Sequence, residues 1–184
     1  MTFNGQKIIP AIREMQDFER MLDSPYKYGV FLEMHVSRLK AVFSLARKHN
    51  KKMILHADLI QGLKNDEYAV EYLCQEYKPA GLISTRVGAI TKAKQNGVVA
   101  IQRLFLLDTH ALAKSYALIN KVKPDYIEVL PGVIPHMIKE VNETTGIPVF
   151  AGGLIRSIDD VENAINAGAV AVTTSNRKLW KMNS

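Results

Sequence analysis

Short apolar runs alternate with amphipathic stretches along the whole chain. Eight runs are rich in Val, Ile, Leu and Ala and end at small or polar residues, which is typical of parallel strands buried on both faces. They span residues 8–12, 29–35, 53–58, 81–86, 98–105, 126–130, 148–152 and 169–174. Helices are predicted between them near 14–24, 38–50, 66–78, 88–96, 109–122, 134–145 and 158–167, with a short one at 177–183.

This strict alternation predicts a parallel sheet covered by helices. Eight units in 184 residues leave about 23 residues each, fewer than in the usual barrel of roughly 250 residues. An open doubly wound sheet is the alternative, but it normally has a Gly-rich loop after its first strand, and none follows residues 8–12. We therefore predict an α/β fold, a compact (β/α)8 TIM-type barrel, with residues 1–184 as one domain. Helix N-caps are predicted at Asn65, Asp108 and Ser157.

Two turns of small residues end the seventh and eighth predicted strands. The first turn contains Gly152 and Gly153, and the second is Thr174-Ser175-Asn176. Small residues let backbone N–H groups approach an anion, and the N-terminus of the next helix adds partial positive charge. Barrels of this type commonly bind phosphate at these two positions. We predict a phosphate site at the C-terminal ends of strands 7 and 8, formed by Gly152, Gly153, Ser175 and Asn176.

Polar residues also recur where the other predicted strands end, which is where such barrels hold their ligands. Pairs two residues apart, such as His56 and Asp58, face the same side of a strand. Charge at the end of a buried strand is costly unless it is paired or bound to something. The candidates for a ligand site or for holding the mouth together are Glu33, His56, Asp58, Arg86, Arg103 and Glu128.

Other interpretations of these strand ends remain open. Glu33 with Arg86 or Arg103 would make a structural ion pair. Glu128 suits either a hydrogen-bond acceptor for a ligand hydroxyl or a general base. No lysine ends a predicted strand, which disfavours a Schiff-base aldolase, whereas an isomerase or lyase using Glu128 or Asp58 as base remains the alternative function. The histidines have no fixed metal-binding spacing, so we predict no metal. We also predict no cofactor.

Charge is distributed unevenly along the chain. The formal net charge is +6, yet residues 34–57 contain no acidic residue. Clustered positive charge is a signal of nucleic-acid binding, and a solvated helix face is the alternative. The basic residues of the acid-free segment are Arg38, Lys40, Arg47, Lys48, Lys51 and Lys52. A second candidate cluster contains Arg177, Lys178 and Lys181.

Composition predicts a cytoplasmic protein. The N-terminal residues lack an apolar signal region, and no uncharged stretch is long enough to span a bilayer. The single cysteine, Cys74, lies among apolar and aromatic residues and is predicted to be an inert helix residue.

Seven segments in order resemble the glycerol-3-phosphate-responsive antiterminator family. They are IPAI (9–12), HADLIQGL (56–63), GLISTR (81–86), QRLFLLD (102–108), EVLPG (128–132), AGGLI (151–155) and TSN (174–176). The resemblance covers essentially the whole chain. It implies a barrel that senses glycerol 3-phosphate, binds a leader mRNA and prevents early termination of transcripts for glycerol use.

The resemblance also suggests roles for the candidate residues. The strand-end polar residues would bind the glycerol hydroxyls or hold the mouth together, and the two small-residue turns would hold the phosphate. The acid-free segment is our hypothesis for the RNA contact. We also expect that the protein can form a homo-oligomer.

Overall fold

The computed structural model describes residue 3 and residues 5–181. Its strands are β1 (Ile8–Ile12), β2 (Tyr28–Phe31), β3 (Met34–His35), β4 (Lys52–His56), β5 (Ile60–Gln61), β6 (Gly81–Ser84), β7 (Val99–Phe105), β8 (Tyr126–Leu130), β9 (Val149–Gly152) and β10 (Ala169–Thr174). Its α-helices are α1 (Met15–Leu22), α2 (Val36–Lys48), α3 (Glu67–Tyr77), α4 (Val87–Gln95), α5 (Thr109–Val122), α6 (Pro135–Thr145) and α7 (Ile158–Asn166). Short 3-10 helices span Ala57–Leu59 and Leu179–Lys181.

Eight of the strands close into a barrel of parallel strands. Their order is β1-β10-β9-β8-β7-β6-β4-β2, and β2 pairs again with β1 to complete the circle. The predicted (β/α)8 barrel is therefore confirmed. We call the C-terminal ends of the barrel strands the mouth and the opposite end the base. Since each helix returns the chain from mouth to base, helix N-termini lie at the mouth and helix C-termini at the base.

The second and third predicted strands are shorter than the apolar pattern indicated. Residues 29–35 divide into β2 and β3, and β3 leaves the barrel to pair with β5 in a separate two-stranded sheet. Met34 and Ile60 are both buried in this small sheet. The apolar pattern therefore continues past the end of the barrel strand, and the sequence does not mark the break. The strand predicted at 53–58 likewise ends early, at His56, and a 3-10 helix follows it.

Side chains that alternate along the strands fill the inside of the barrel. Aliphatic residues form its middle, including Ile9, Val30 and Ile101. At the base, Phe3 makes edge-to-face contacts with Tyr28, Tyr126 and Phe150 at centroid distances of 4.9, 5.2 and 5.1 Å. Polar side chains occur instead at the mouth.

The N-cap predictions were correct at two of three helices. Asp108 accepts a hydrogen bond from Ala111 N at the start of α5, and Ser157 forms a capping box with Asp160 at the start of α7. Helix α3 is capped by Asp66, whose carboxylate accepts from the Ala69 backbone. The prediction of Asn65 as this N-cap is wrong by one residue. The backbone carbonyl of Asn65 accepts a hydrogen bond from Arg86.

Candidate ligand site at the barrel mouth

A cavity of about 140 Å³ opens at the centre of the mouth. The ends of β7, β8 and β10 and the loops after β1, β9 and β10 contribute to its wall. Aliphatic side chains form part of the lining, including Leu32, Leu59 and Leu130. Its polar and glycine lining consists of Arg13, Arg103, Glu128, Gly153, Thr173, Thr174 and Ser175. The cavity therefore combines cations, hydroxyl groups and one carboxylate around a small space.

Glu128 forms the centre of the cavity floor. Its side chain is 1% exposed and accepts hydrogen bonds from Arg103 Nε at 2.8 Å and from Thr173 Oγ1 at 2.7 Å. Each carboxylate oxygen of Glu128 thus has its own donor. This arrangement stabilises a charge that would otherwise be costly at this depth.

Gly152 makes room for this buried carboxylate. A methyl group added at Gly152 would lie 2.5 Å from Thr173 Oγ1 and 2.9 Å from Glu128 Oε1. Gly152 therefore permits the contact between Glu128 and Thr173 beneath the cavity. This is a packing role, and the phosphate contact predicted for Gly152 stays a prediction.

Asp58 organises a second polar cluster beside the cavity. Its carboxylate accepts from Ser84 Oγ at 2.5 Å, from the backbone and side chain of Thr85 at 2.7 and 2.9 Å, and from Arg86 Nε at 3.1 Å. Burial raises the pKa of Asp58, but the hydrogen bonds from Ser84 and Thr85 outweigh that effect and hold the pKa below its usual value. Asp58 and Arg86 therefore join β6 to the loop after β4.

Glu33 lies at the rim of the mouth. It pairs with Arg13 at 2.5 Å, and both side chains are about half exposed. Neither of the partners considered from the sequence, Arg86 and Arg103, takes this role, because each is bound to a carboxylate of its own. Arg13, which was not predicted, belongs both to this pair and to the cavity lining.

His56 is buried within the barrel next to these charges. It is 2% exposed, and neither ring nitrogen has a hydrogen-bond partner among the described residues. Burial lowers the pKa of His56 to about 4, and the Arg103 guanidinium adds to this decrease. The carboxylates of Glu128 and Asp58 offset it only in part. His56 is therefore neutral near pH 7.

The two predicted phosphate turns lie side by side at the mouth, because β9 and β10 are neighbouring strands. Gly153 and Ser175 line the cavity. Asn176 does not belong to that lining: its side chain donates to Arg156 O at 3.0 Å and accepts from Lys178 N at 3.1 Å. It joins the two loops, and a phosphate contact by Asn176 stays a prediction.

The start of α7 already carries a negative charge from its own sequence. The Asp160 carboxylate accepts from the backbone N–H groups of Arg156 and Ser157 at 2.9 and 2.8 Å. These amides, which the sequence suggested for an anion, are therefore occupied. Arg13 supplies a positive charge within the cavity lining itself.

Sequence reasoning missed Gly132 as well as Arg13 and Thr173. The Gly132 N–H donates to Gly152 O at 2.6 Å, and a methyl group on Gly132 would lie 2.6 Å from Gly152 N. The loop after β8 thus packs directly against the loop after β9. A Gly two residues after a strand end is a signal for such close packing, and an Arg directly after the first strand is a signal for a mouth cation.

The predicted basic segment is divided between the two ends of the molecule. Arg38 and Lys40 lie near the mouth end of α2, whereas Arg47, Lys48, Lys51 and Lys52 lie near the base. Arg38 and Arg47 both lie on α2 and are separated by about 13 Å along the helix axis. The ammonium group of Lys51 donates hydrogen bonds to Ser24 O and Tyr26 O at 2.5 and 2.9 Å, so it is less available to a ligand.

One residue of the second predicted basic cluster, Arg177, pairs with carboxylates of the protein. The guanidinium of Arg177 bonds to Asp17 and lies 3.4 Å from Glu14, which joins the loop after β10 to α1. Lys178 is exposed beside it.

Three further features of the described residues bear on other predictions. Within residues 3 and 5–181, no three His, Cys, Asp or Glu side chains are grouped so that they could hold a metal ion. In the same part of the chain, no helix is long and apolar enough to cross a bilayer. Cys74 is buried on α3, and burial raises the pKa of its thiol to about 11.

Comparison with solved structures finds close likeness in both fold and sequence. A glycerol uptake operon antiterminator regulatory protein from Listeria monocytogenes is 51% identical, with a TM-score of 0.94 over 96% of each chain. A glycerol uptake operon antiterminator-related protein from Thermotoga maritima is 26% identical, with a TM-score of 0.85 over 96% of this chain and 99% of that one. A deoxyribose phosphate aldolase from Aeropyrum pernix, at 18% identity and a TM-score of 0.70, shares the fold alone.

Sequence comparison agrees with this result. The Escherichia coli protein YgcP is 31% identical over 178 residues, which cover 95% of this chain and 92% of that protein. The model of the family described as glycerol-3-phosphate responsive antiterminator matches residues 8–180. The chain therefore belongs to the glycerol-3-phosphate responsive antiterminator family.

Proposed function

We propose that this protein senses glycerol 3-phosphate at the barrel mouth and binds a leader mRNA to prevent early termination of transcripts for glycerol use. The observation that carries the sensing function is the cavity of about 140 Å³, with Gly153 and Ser175 on one side and Arg13 at its rim. Its size suits a three-carbon polyol phosphate. Family membership supports the regulatory part of the proposal.

The hydrogen bonds that the mouth carboxylates accept from the protein favour a sensor over an isomerase or lyase. Glu128 and Asp58 were the two candidate bases, and both oxygens of each accept hydrogen bonds from the protein. A general base needs to accept a proton from its substrate at an oxygen that can be reached. Asp58 has two donors on each oxygen and Glu128 has one on each. Carboxylates engaged in this way hold donors in fixed positions around a ligand.

The polar lining suggests how the effector is held. The phosphate would lie between Gly153, Ser175 and the guanidinium of Arg13, since arginine binds phosphate through charged, often bidentate, hydrogen bonds. The glycerol hydroxyls would lie toward Arg103 and Thr173 on the cavity floor. In this arrangement, Glu33 competes with the phosphate for Arg13.

Thermal unfolding with glycerol 3-phosphate, glycerol and inorganic phosphate in parallel tests the sensing function. A ligand that binds only the folded state adds about 2.7 kcal/mol of stability at a hundredfold excess over its dissociation constant. We expect a clear rise in Tm with glycerol 3-phosphate and smaller ones with glycerol and phosphate. An unchanged Tm at millimolar glycerol 3-phosphate would contradict the proposal.

Arg13→Gln and Glu33→Gln form a matched pair for this site. Arg13→Gln should weaken binding of glycerol 3-phosphate at least tenfold in calorimetric titration, because a hydrogen bond to a charged group contributes about 1.5–3 kcal/mol. Glu33→Gln removes the competing carboxylate and should bind as tightly as the wild type or more tightly. Equal weakening by both variants would mean that the ion pair only supports the loop.

A further inference from the structure

The base of the barrel carries an excess of positive charge on one side. In a parallel barrel, the C-terminal ends of the helices and the turns into the next strands all lie at this end. From α2 to α5, the segments 47–52, 76–80, 92–98 and 121–125 together hold nine Lys or Arg residues and two acidic residues, Glu76 and Asp125. The corresponding segments after α6 and α7, residues 143–148 and 162–168, hold two acidic residues and no Lys or Arg.

Most of these basic side chains are exposed to solvent. We define the basal patch as Arg47, Lys48, Lys52, Lys78, Lys121 and Lys123, all exposed. None of them forms a salt bridge with a carboxylate in the described part of the chain. At the mouth, by contrast, Arg13, Arg86 and Arg103 each pair with a carboxylate.

Two lysines of the basal patch occupy a backbone conformation that favours glycine. Lys78 ends α3 at a φ of 47° and Lys123 ends α5 at a φ of 49°, whereas α6 ends on Gly146 at a φ of 66°. Glycine takes this conformation without strain, but a side chain is disfavoured there. The lysines therefore occupy these turns at a cost to stability, which indicates that their side chains have a use.

Two adjacent grooves cross this side of the base. One, of about 210 Å³, is lined in part by Arg47, Lys52 and Lys78. The other, of about 400 Å³, shares Lys78 and is also lined by Gln75 and Asn96. Cations along a groove suit a phosphate backbone, and amide side chains can hydrogen-bond base edges.

We propose that the basal patch and its two grooves bind the leader mRNA, on the face opposite the effector cavity. This inference rests on the proposed function, in that it assumes an RNA partner. It modifies the hypothesis from the sequence by keeping Arg47, Lys48 and Lys52 and excluding Arg38, Lys40 and Lys51. It adds lysines from the ends of α3 and α5. Effector and RNA then occupy opposite ends of the barrel and do not compete for the same surface.

Charge reversal at the patch, with a matched control, tests this assignment. The base variant carries Lys48→Glu, Lys78→Glu and Lys123→Glu, and the control variant carries Lys40→Glu, Lys64→Glu and Lys114→Glu. Both lose the same net charge from exposed lysines. The probe is a labelled transcript of the leader upstream of the glycerol-uptake genes in the source genome, measured by fluorescence anisotropy at several salt concentrations.

We expect the base variant to lose at least tenfold in affinity and the control variant to keep most of it. The slope of log affinity against log salt concentration should also become shallower by about 0.7 for each phosphate of single-stranded RNA that the variant no longer neutralises. Equal losses in both variants, or an unchanged base variant, would overturn the inference. The rise in Tm with glycerol 3-phosphate should persist in the base variant, which shows that it is folded.

A second variant removes side chains without adding negative charge. Lys78→Gly with Lys123→Gly relieves two strained turns, so we expect a higher Tm together with weaker RNA binding and a smaller salt slope. A purely structural role for these lysines would not move stability and RNA affinity in opposite directions. Unchanged RNA affinity in this more stable variant would overturn the inference.

The wild-type protein separates failure of the inference from failure of the proposed function. If the wild type does not bind the leader transcript at low salt, the proposed RNA partner is wrong and the inference falls with it. If the wild type binds and the base variant binds equally well, only the location is wrong. A base variant that binds RNA normally but loses antitermination in a purified transcription reaction would place a protein partner at the patch instead.

Discussion

The two neighbouring glycines at the end of β9 have different surroundings. Gly152 lies against the Glu128–Thr173 hydrogen bond, and an added methyl group there would come within 2.5 Å of Thr173 Oγ1. Gly153 has a φ of 75° and lines the cavity, with the side chain of Leu130 as its nearest neighbour. A sequence pattern of two adjacent glycines does not distinguish these surroundings, because only the fold shows which one faces the buried carboxylate.

Gly152→Ala should therefore destabilise the protein in the absence of any ligand. Overpacking beside a buried ion pair costs about 1–3 kcal/mol, and the variant also displaces the donor to Glu128. Urea unfolding measures the change. Thr173→Ala in combination with Gly152→Ala should cost less than the sum of the two single variants, because alanine has no atom at the position of Thr173 Oγ1 that the new methyl group would meet. Fully additive costs would contradict this account of Gly152.

His56 should make stability depend on pH below neutrality. Its pKa in the folded state is about 4, whereas an unfolded chain has a histidine pKa near 6.5. Between these values the unfolded state binds more protons, so stability is fully present above about pH 6.5 and falls as the pH decreases toward 4. From pH 7 to pH 5 this histidine alone should remove about 2 kcal/mol.

The variant His56→Leu supplies the comparison, because it keeps an apolar group of similar size and cannot titrate. Its free energy of unfolding, from urea titrations at pH 7 and pH 5, should change by about 2 kcal/mol less than that of the wild type. An equal change in the two proteins would show that His56 does not carry this pH dependence.

Many of the polar residues at the mouth could be predicted from the sequence, but not which of them form ion pairs with one another. Polar residues at strand ends are visible in the sequence because they interrupt apolar runs, and Asp58, Arg86 and Glu128 were found in this way. Which residue meets which depends on strand order and register, for example the pairing of Arg103 with Glu128 across β7 and β8. The Arg13–Glu33 pair joins the ends of β1 and β2 through loops whose course has no sequence signal.

At the scale of elements, Phe3 closes the base of the barrel. Phe3 is 5% exposed and contacts three aromatic rings from three different strands. Phe3→Ala should cost roughly 3–5 kcal/mol, as expected for removal of a buried aromatic side chain. The effector-induced rise in Tm should remain, since the cavity is at the opposite end. If Phe3→Ala were as stable as the wild type in urea, Phe3 would not stabilise the base of the barrel as described.

Helices and strands were predictable where local signals coincide with the pattern of burial. All eight barrel strands were located from their apolar runs, and Asp108 and Ser157 were recognised as N-caps. The break between β2 and β3 was not predicted, because Met34 is buried in a different sheet from Phe31. Apolar periodicity indicates that a residue is buried, but it does not indicate which sheet the residue belongs to.

At the scale of the whole molecule, the two ends of the barrel have different electrostatic character. The mouth holds arginines in ion pairs around a small cavity, and the base holds exposed lysines along open grooves. The sequence showed an acid-free segment but not this division, because α2 carries the segment from one end to the other. Lysines from α3 and α5 are far from it in sequence and join it only through the barrel topology.

The affinity for the leader transcript, measured with and without glycerol 3-phosphate, tests the central claim most directly. A regulator that couples two sites should show a change of about 5–150-fold in RNA affinity when the effector saturates the mouth. Inorganic phosphate at the same concentration should have little effect. We predict tighter RNA binding with glycerol 3-phosphate and loss of that response in Arg13→Gln. RNA affinity that is the same at every effector concentration would contradict the account.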